Sequence, residues 1–490
     1  MNSAYTSENN KSCDNFFLCY LKGGIDTTGG TMDILNLEKY NQLKNTQWRN
    51  AYHIQPPPGL LNDPNGMIYH DGVYHIFYQW HPFETRHGLK YWNHVTSKDL
   101  IHFEQGSQIV EPSIQYDKDG AYSGSAYRID DEVMLIYTGN SVNDNVRTPY
   151  QIIKPMNSDD KTLVVDGNPE GYTGHYRDPK VWKEDDMYLM ILGAQRDDLT
   201  GCVVVYESKD GLKWDFKHEL KTNYNEDSFM WECPDLIKFE EDDLLIFCPQ
   251  STIKKENSNI YDLGYMIGHY NKNQGSFDDA SKFKILDHGF ESYASHTFED
   301  EHGNRVLYVW MGAADTSYPD AKDGWTQMLS LPRVLELENG HLIQTPHPHL
   351  KDLRLEKEID VFNKKHQNQY ERILEDIKDS FELELFKNED ESLLLTYDKD
   401  AKKLTLDRSK MKHQFALDYG VIREYNLKDS LNKLQIYVDH SSIEIFINDG
   451  EAVMSSRIFP NQKENEITLN QKNIIITLYP LITTNTKDFL

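Results

Sequence analysis

Cysteine is scarce in this chain, and its scarcity removes one class of fold at the outset. The five cysteines (Cys13, Cys19, Cys202, Cys233, Cys248) are scattered, odd in number and form no Cys-x-x-Cys pair. Neither a disulfide framework nor a zinc site can be read from them, and a reducing compartment suits them. Long apolar runs are also missing: none approaches the roughly 18 residues of a membrane helix, so no membrane partner is expected. Positive charge is in short supply, with 51 Lys and Arg against 79 Asp and Glu and a net charge of −28. That balance excludes nucleic acid as a partner and means an anionic substrate would need a local cluster of cations. The first 31 residues contain the apolar run "FFLCYL" but neither a basic start nor an Ala-x-Ala site, so a signal peptide is not expected. Residues 1–31 read as a disordered leader or an extension from start-site choice, since Met32 opens a more ordinary sequence. The expected location is the cytoplasm.

Aromatic residues, by contrast, are plentiful: 12% of the chain, with 30 tyrosines. They favour β-structure and surfaces on which rings stack. Five segments share one plan, a polar start, a strand, an acidic or Gly-containing turn and a very apolar strand. They are "NDPNGMIYHDGVYHIFYQ", "YSGSAYRIDDEVMLIYTGN", "RDPKVWKEDDMYLMILGA", "ECPDLIKFEEDDLLIFCPQ" and "ASHTFEDEHGNRVLYVWMGA". Their apolar strands begin near Tyr74, Val133, Met187, Asp243 and Val306, a period of roughly 55–60 residues that suits a four-stranded propeller blade. Segments such as "GCVVVYESKDGLKWDF" supply the outer strands. The expectation is an all-β chain, a five-bladed β-propeller over residues 32–350. Residues 351–378 read as a charged, partly helical connector. From 379 to 490, alternating runs such as "SFELELF" and "SIEIFIND" predict a β-sandwich, with Asp439 and Glu444 as charges on its solvated face.

In a propeller the innermost strand of every blade starts near one mouth of the central channel, so the polar starts should converge on one pocket. Alone, Asn62-Asp63-Pro64-Asn65-Gly66 is a string of turn formers. Its weight comes from Arg177-Asp178-Pro179 and Glu232-Cys233-Pro234, which open the third and fourth repeats in a similar way. Three carboxylates meeting in one cavity repel one another, and such clusters are explained by metal binding or acid–base chemistry. Hard cations such as Ca²⁺ or Mg²⁺ are chemically suited, but the short spacing of an ion-binding loop is missing, so no metal and no cofactor is expected. Aromatics in the same stretches (Trp92, Tyr122, Trp231, Tyr293) suit the apolar face of a sugar ring. Two carboxylates with aromatics are the minimum for glycoside hydrolysis.

The motifs "LNDPNG", "YSGSA", "RDPK", "ECPDL", "GWTQMLSLPRVL" and "LQIYVDHSSIEIFINDGE" together resemble glycoside hydrolase family 32, the invertases and fructanases, from about Tyr52 onward. The resemblance implies a five-bladed propeller followed by a β-sandwich, and a sugar as substrate. It implies that Asp63 is the nucleophile, Glu232 the acid/base and Asp178 the transition-state stabiliser that holds ring hydroxyls. Leu61, Asn62, Gln79, Trp92, Tyr122, Ser123 and Arg177 fall at positions expected to bind substrate, Arg177 by pairing with the carboxylates. This chemistry expects a protonated Glu232, an Asp63 held low by hydrogen-bond donors, and carboxyls about 5–5.5 Å apart for retention. Aligned on proline, Glu232 lies one residue earlier than Asp63 and Asp178, so a bulge must re-aim it. Cys233 reads as packing. The stretches "HPFETRHGLKYWNHV" and "TGNSVNDNVRTPYQ" resemble the branch of the family that acts on sucrose 6-phosphate, with Arg86, His87, Lys90 and Arg147 as the cations that would meet phosphate. The alternatives are a β-fructofuranosidase acting on sucrose or short fructans, a decayed sugar-binding propeller, and a calcium-dependent arabinan hydrolase. The oligomeric state, monomer or homodimer, is not legible.

Overall fold

The computed structural model describes residues 43, 45–251, 261–313, 316–358, 364–471 and 473–484; the expected leader, residues 1–31, lies outside the described residues. The described chain is almost wholly β. Between Gly59 and Pro346 it forms five antiparallel sheets. Their innermost strands are Gly59–His70, Ala121–Ile129, Tyr172–Glu184, Met230–Lys238 and Tyr293–Glu299. Each is followed by the apolar strand that the repeats announce: Val73–His81, Glu132–Asn143, Met187–Arg196, Asp243–Gln250 and Arg305–Trp310. The turns between them are tight because Asp and Gly accept left-handed backbone there, as at Asp71 (φ 50°) with Gly72 (φ 78°).

The five innermost strands touch in cyclic order, first to second, second to third, third to fourth, fourth to fifth and fifth back to first. The ring is fastened by Trp325–Thr326, which pairs in parallel with Gly59 and Leu60. Gly59 (φ 85°) is required at this clasp, because a Cβ there would lie 2.0 Å from the His81 carbonyl oxygen.

The five innermost strands slip register at one depth. The shifts fall between Leu61 and Pro64, Ala121 and Gly124, Arg177 and Lys180, Glu232 and Asp235, and Tyr293 and His296. Inside the last three, Asp178 (φ 67°), Cys233 (φ 47°) and Ala294 (φ 49°) take left-handed backbone. A bulge of this kind bends the strand and re-aims a side chain.

From Lys365 the chain forms two further sheets. One has six strands running from Lys365–Gln367 to Ile422–Asn426, and the other five, from Ala452–Arg457 to Ile475–Pro480. Leucines and isoleucines such as Leu383, Leu395, Ile436 and Ile445 are fully buried between them. The expected partly helical connector is corrected here: Lys365–Gln367 and Tyr370–Glu375 are strands of the sandwich sheets, and the short helical turn is Pro348–Leu353. Tyr370 and Leu374 are buried in the sandwich core, a signal masked by the charges of Glu371, Arg372 and Glu375 beside them.

The sandwich also corrects the reading of Asp439 and Glu444 as solvated charges. Both are sealed against the propeller, 0% and 1% exposed. His53 bridges them at 2.7 and 3.1 Å, and Arg333 reaches Glu444 at 2.9 Å and Asp287 at 3.0 Å. Buried charges survive only when paired in this way.

Candidate active site

The bulges deliver the acids to one place. Asp63 is held in a closed circuit of hydrogen bonds: Asn62 Nδ2 donates to Asp63 Oδ1 at 3.0 Å and also to Gln79 Oε1, Gln79 Nε2 donates to Ser123 Oγ at 2.8 Å, and the Ser123 hydroxyl donates to Asp63 Oδ2. Lys90 Nζ fixes the Asn62 amide by donating to its Oδ1 at 2.6 Å. Against these donors, burial pushes the Asp63 carboxyl up, and the charge of Glu232 adds to the rise. The expectation of an Asp63 held low is therefore corrected, because removal from water outweighs its donors.

Asp178 receives the backbone N–H of Cys233 at 2.9 Å on Oδ2, and its own N–H donates to Thr138 Oγ1 at 3.1 Å. Its carboxyl is also raised, by burial first and then by repulsion from Glu232 and Asp63, with Arg177 opposing. The Cys233 thiol stands between the two aspartates, 3.7 Å from Asp178 and 3.9 Å from Asp63. Burial and the surrounding carboxylates push that thiol far up, so it stays protonated and inert.

Glu232 is gripped from both neighbouring sheets. Arg177 donates Nε at 3.0 Å and Nη2 at 2.6 Å to its Oε1, and the Tyr293 hydroxyl donates to its Oε2 at 2.5 Å. The one-residue offset of Glu232 now has a physical account. In the bulge register Arg177, Glu232 and Tyr293 are equivalent, each preceding the left-handed residue, and Asp178 is the equivalent of Cys233 and Ala294. Successive strands thus place a cation, a carboxylate and a phenol side by side. Arg177 supplies the positive charge beside Glu232 and Asp178, and Lys90 acts on Asp63 through the Asn62 amide. Among the described residues no cluster of three or more His, Cys, Asp or Glu is arranged to hold a metal ion.

Residues 53–346 match the model of the glycosyl hydrolases family 32 N-terminal domain, and residues 341–478 match that of the family 32 C-terminal domain. The chain is a family 32 glycoside hydrolase. The hydrolase is 40% identical over 458 residues to a sucrose-6-phosphate hydrolase of Staphylococcus xylosus, covering 89% of this chain and 92% of the relative. Among solved structures, sucrose-6-phosphate hydrolase from Lactobacillus gasseri superposes with a TM-score of 0.82 at 33% identity, over 92% of this chain and 97% of that one. A β-fructofuranosidase of Bombyx mori, solved in complex with sucrose, gives 0.81 at 26% identity over 94% and 99%.

The remaining expected residues sort by environment. Asn62, Gln79 and Ser123 meet at Asp63, and Arg177 meets Glu232. Leu61 and Trp92 are wholly buried; Leu61 packs in the core of the first sheet, and Trp92 packs on Phe77 and Tyr137 while its Nε1 donates to the Tyr122 carbonyl oxygen at 2.9 Å. These two therefore support the site from beneath. Tyr122 stays partly exposed, with the Arg147 guanidinium 5.6 Å above its ring. The four expected phosphate cations differ in the partners they already hold. Arg86, highly exposed, is paired with Glu84. Lys90 is buried, its ammonium taken by Asn62 and by His87 Nδ1 at 2.9 Å, and burial pushes its pKa down to about 7. Thr138 and the backbone of Cys233 were not anticipated from the sequence, and Tyr293 was expected only as a ring against the sugar, not as a donor to Glu232. The signal for Tyr293 was present: it occupies in the fifth repeat the place that Glu232 holds in the fourth.

Proposed function

We propose that this hydrolase cleaves the β-fructofuranosyl bond of sucrose 6-phosphate to fructose and glucose 6-phosphate, in a pocket at the axis of a five-bladed propeller. The five sheets in cyclic contact support the blade count. Asp63 attacks the anomeric carbon and forms a fructosyl-enzyme; Glu232 protonates the departing glycosidic oxygen and then deprotonates the attacking water. Asp178, fixed by the Cys233 N–H and Thr138, accepts ring hydroxyls as positive charge develops on the sugar. Substrate hydroxyls that donate to Asp63 and Asp178 relieve the burial that raises both carboxyls, so the sugar itself completes the ionisation the chemistry needs. The observation that carries this reading is the convergence of Asp63, Asp178 and Glu232 around the Cys233 bulge. The relatives named as sucrose-6-phosphate hydrolases support the phosphorylated substrate, and a phosphorylated disaccharide supports the cytoplasm as the location of the enzyme.

The second reading is a general β-fructofuranosidase acting on sucrose, favoured by the pairing of Arg86 with Glu84 and of Lys90 with Asn62, which leaves fewer cations for phosphate. Comparing kcat/KM for the two sugars decides between them: a marked preference for sucrose 6-phosphate is expected, and equal values would establish the second reading. Release of reducing sugar should be seen with wild type and vanish in Asp63→Ala; no release by wild type would return the chain to the class of sugar-binding propellers, and release at the wild-type rate by the variant would remove Asp63 as nucleophile.

A further inference from the structure

A chain of hydrogen bonds leads outward from the acid/base. Arg177 holds Glu232 with Nε and Nη2, and its Nη1 lies 3.0 Å from His175 Nδ1. A guanidinium can only donate, so His175 Nδ1 is the acceptor and the imidazole carries its proton on Nε2. Burial, then the charges of Arg177 and Arg147, push the His175 pKa down to about 4, which keeps the ring neutral and this tautomer fixed. Among the described residues no hydrogen bond reaches Nε2, and the residue is only half-buried.

Arg147 stands on the neighbouring strand, Val146–Pro155, and is exposed. Its backbone presses on the residue before His175: a Cβ on Gly174 would lie 2.7 Å from the Arg147 carbonyl oxygen and 3.4 Å from the Arg147 Cβ. The glycine permits this close approach and so brings Arg147 beside His175. The guanidinium lies over Tyr122, next to the Ser123 that binds Asp63. Among the described residues Arg147 makes no ion pair, although the chain carries 79 carboxylate side chains.

We propose that His175, through Nε2–H, and Arg147, through its guanidinium, receive the phosphate of the leaving glucosyl unit and so determine the preference for the phosphorylated sugar. This rests on sucrose 6-phosphate being the substrate. The division of labour has a physical reason. A phosphate dianion beside Glu232 needs donors, and Arg147 supplies charge and a planar fork for its oxygens. A second cation at position 175 would repel Arg177 and weaken its hold on Glu232. A neutral imidazole gives the hydrogen bond without that charge, while its other nitrogen keeps Arg177 aimed.

The test uses the whole enzyme and follows the ratio of kcat/KM for sucrose 6-phosphate to that for sucrose. His175→Ala and Arg147→Ala should each lower this ratio about tenfold to a hundredfold, chiefly through KM for the phosphorylated sugar. His175→Gln, whose amide can accept from Arg177 and donate outward, should hold the ratio within about threefold of wild type. Inhibition by glucose 6-phosphate should weaken in step in the two alanine variants, and inhibition by glucose should not. If wild type prefers the phosphorylated sugar and His175→Ala lowers activity on both sugars by the same factor, His175 acts only through Arg177 and the assignment is overturned. A ratio that stays at the wild-type value in His175→Ala overturns it too, the substrate reading standing in both cases. Wild-type enzyme with no preference overturns the substrate reading and this assignment together.

Discussion

Replacing Arg333 by Met would isolate the energetics of the seam between propeller and sandwich. The guanidinium is completely buried and joins Glu444 at 2.9 Å, Asp287 at 3.0 Å and the Ser455 hydroxyl at 2.7 Å. Methionine fills much of the stem volume but strands two buried carboxylates, for which the expected cost is about 3–5 kcal/mol. Both acids keep neutral donors: Asp287 has the Ser455 and Gly289 N–H groups, each at 2.9 Å, and Glu444 has the Leu331 N–H at 2.8 Å. The lower half of that range is therefore expected. With an unfolding entropy of about 1 kcal/mol per kelvin for a chain of this length, the melting midpoint should fall by about 3–4 °C. His53 sets a pH dependence on the loss. Burial disfavours its charge, but hydrogen bonds to Asp439 and Glu444 outweigh burial and raise its pKa. Its stabilising charge is present below the ordinary histidine range and is lost as pH rises through the raised folded value. The Arg333→Met deficit should thus be larger at pH 8.5 than at pH 6, because a charged His53 partly replaces the missing cation. Scanning calorimetry at the two pH values measures both effects. Adding Glu444→Gln and Asp287→Asn to the same chain should recover at least half of the loss. A midpoint shift under about 1 °C, or no recovery in the triple variant, would refute the account of stranded charge.

Other expectations concern the pocket. Tyr293→Phe removes the hydroxyl that donates to Glu232 Oε2, and kcat/KM for both sugars should fall about tenfold to a hundredfold; steady-state assays returning wild-type values would contradict that role. Lys90 has a folded pKa near 7 against an ordinary lysine value far above it, so the unfolded chain binds more protons between those limits and stability gains from this residue as pH rises. Between pH 7.5 and 10, wild type should gain about 1.4 kcal/mol per pH unit relative to Lys90→Met, read from urea midpoints; parallel profiles would remove the assignment. The first-formed fructose should keep the β configuration, followed by proton NMR before mutarotation; an inverted product would dismiss a covalent fructosyl-enzyme.

Much of the architecture was legible because its signals are local. Tyr74, Val133, Met187, Asp243 and Val306 fall at or beside the first residues of the second strands, since a tight acidic turn followed by an apolar run has few other structural meanings. The offset of Glu232 required a bulge, and the bulge is there, but the sequence does not reveal that the same irregularity recurs in five strands. Burial was the poorest inference. Glu444 alternates with isoleucines as any solvent-facing charge does, and only a second domain lying on that face turns it into a sealed ion pair. Trp92 has the same identity as a core residue or as a sugar platform. Lys90 looked like a rim cation because nothing local announces Asn62, 28 residues earlier, as its acceptor.

The clasp between Gly59–Leu60 and Trp325–Thr326 has a consequence for biosynthesis. The opening strand leaves the ribosome some 266 residues before the segment that covers its free edge. At about 5–20 residues per second, that interval is on the order of tens of seconds. Throughout it an unpaired β-edge is available to other nascent chains, so the hydrolase should depend on holding chaperones mainly during synthesis of its first domain.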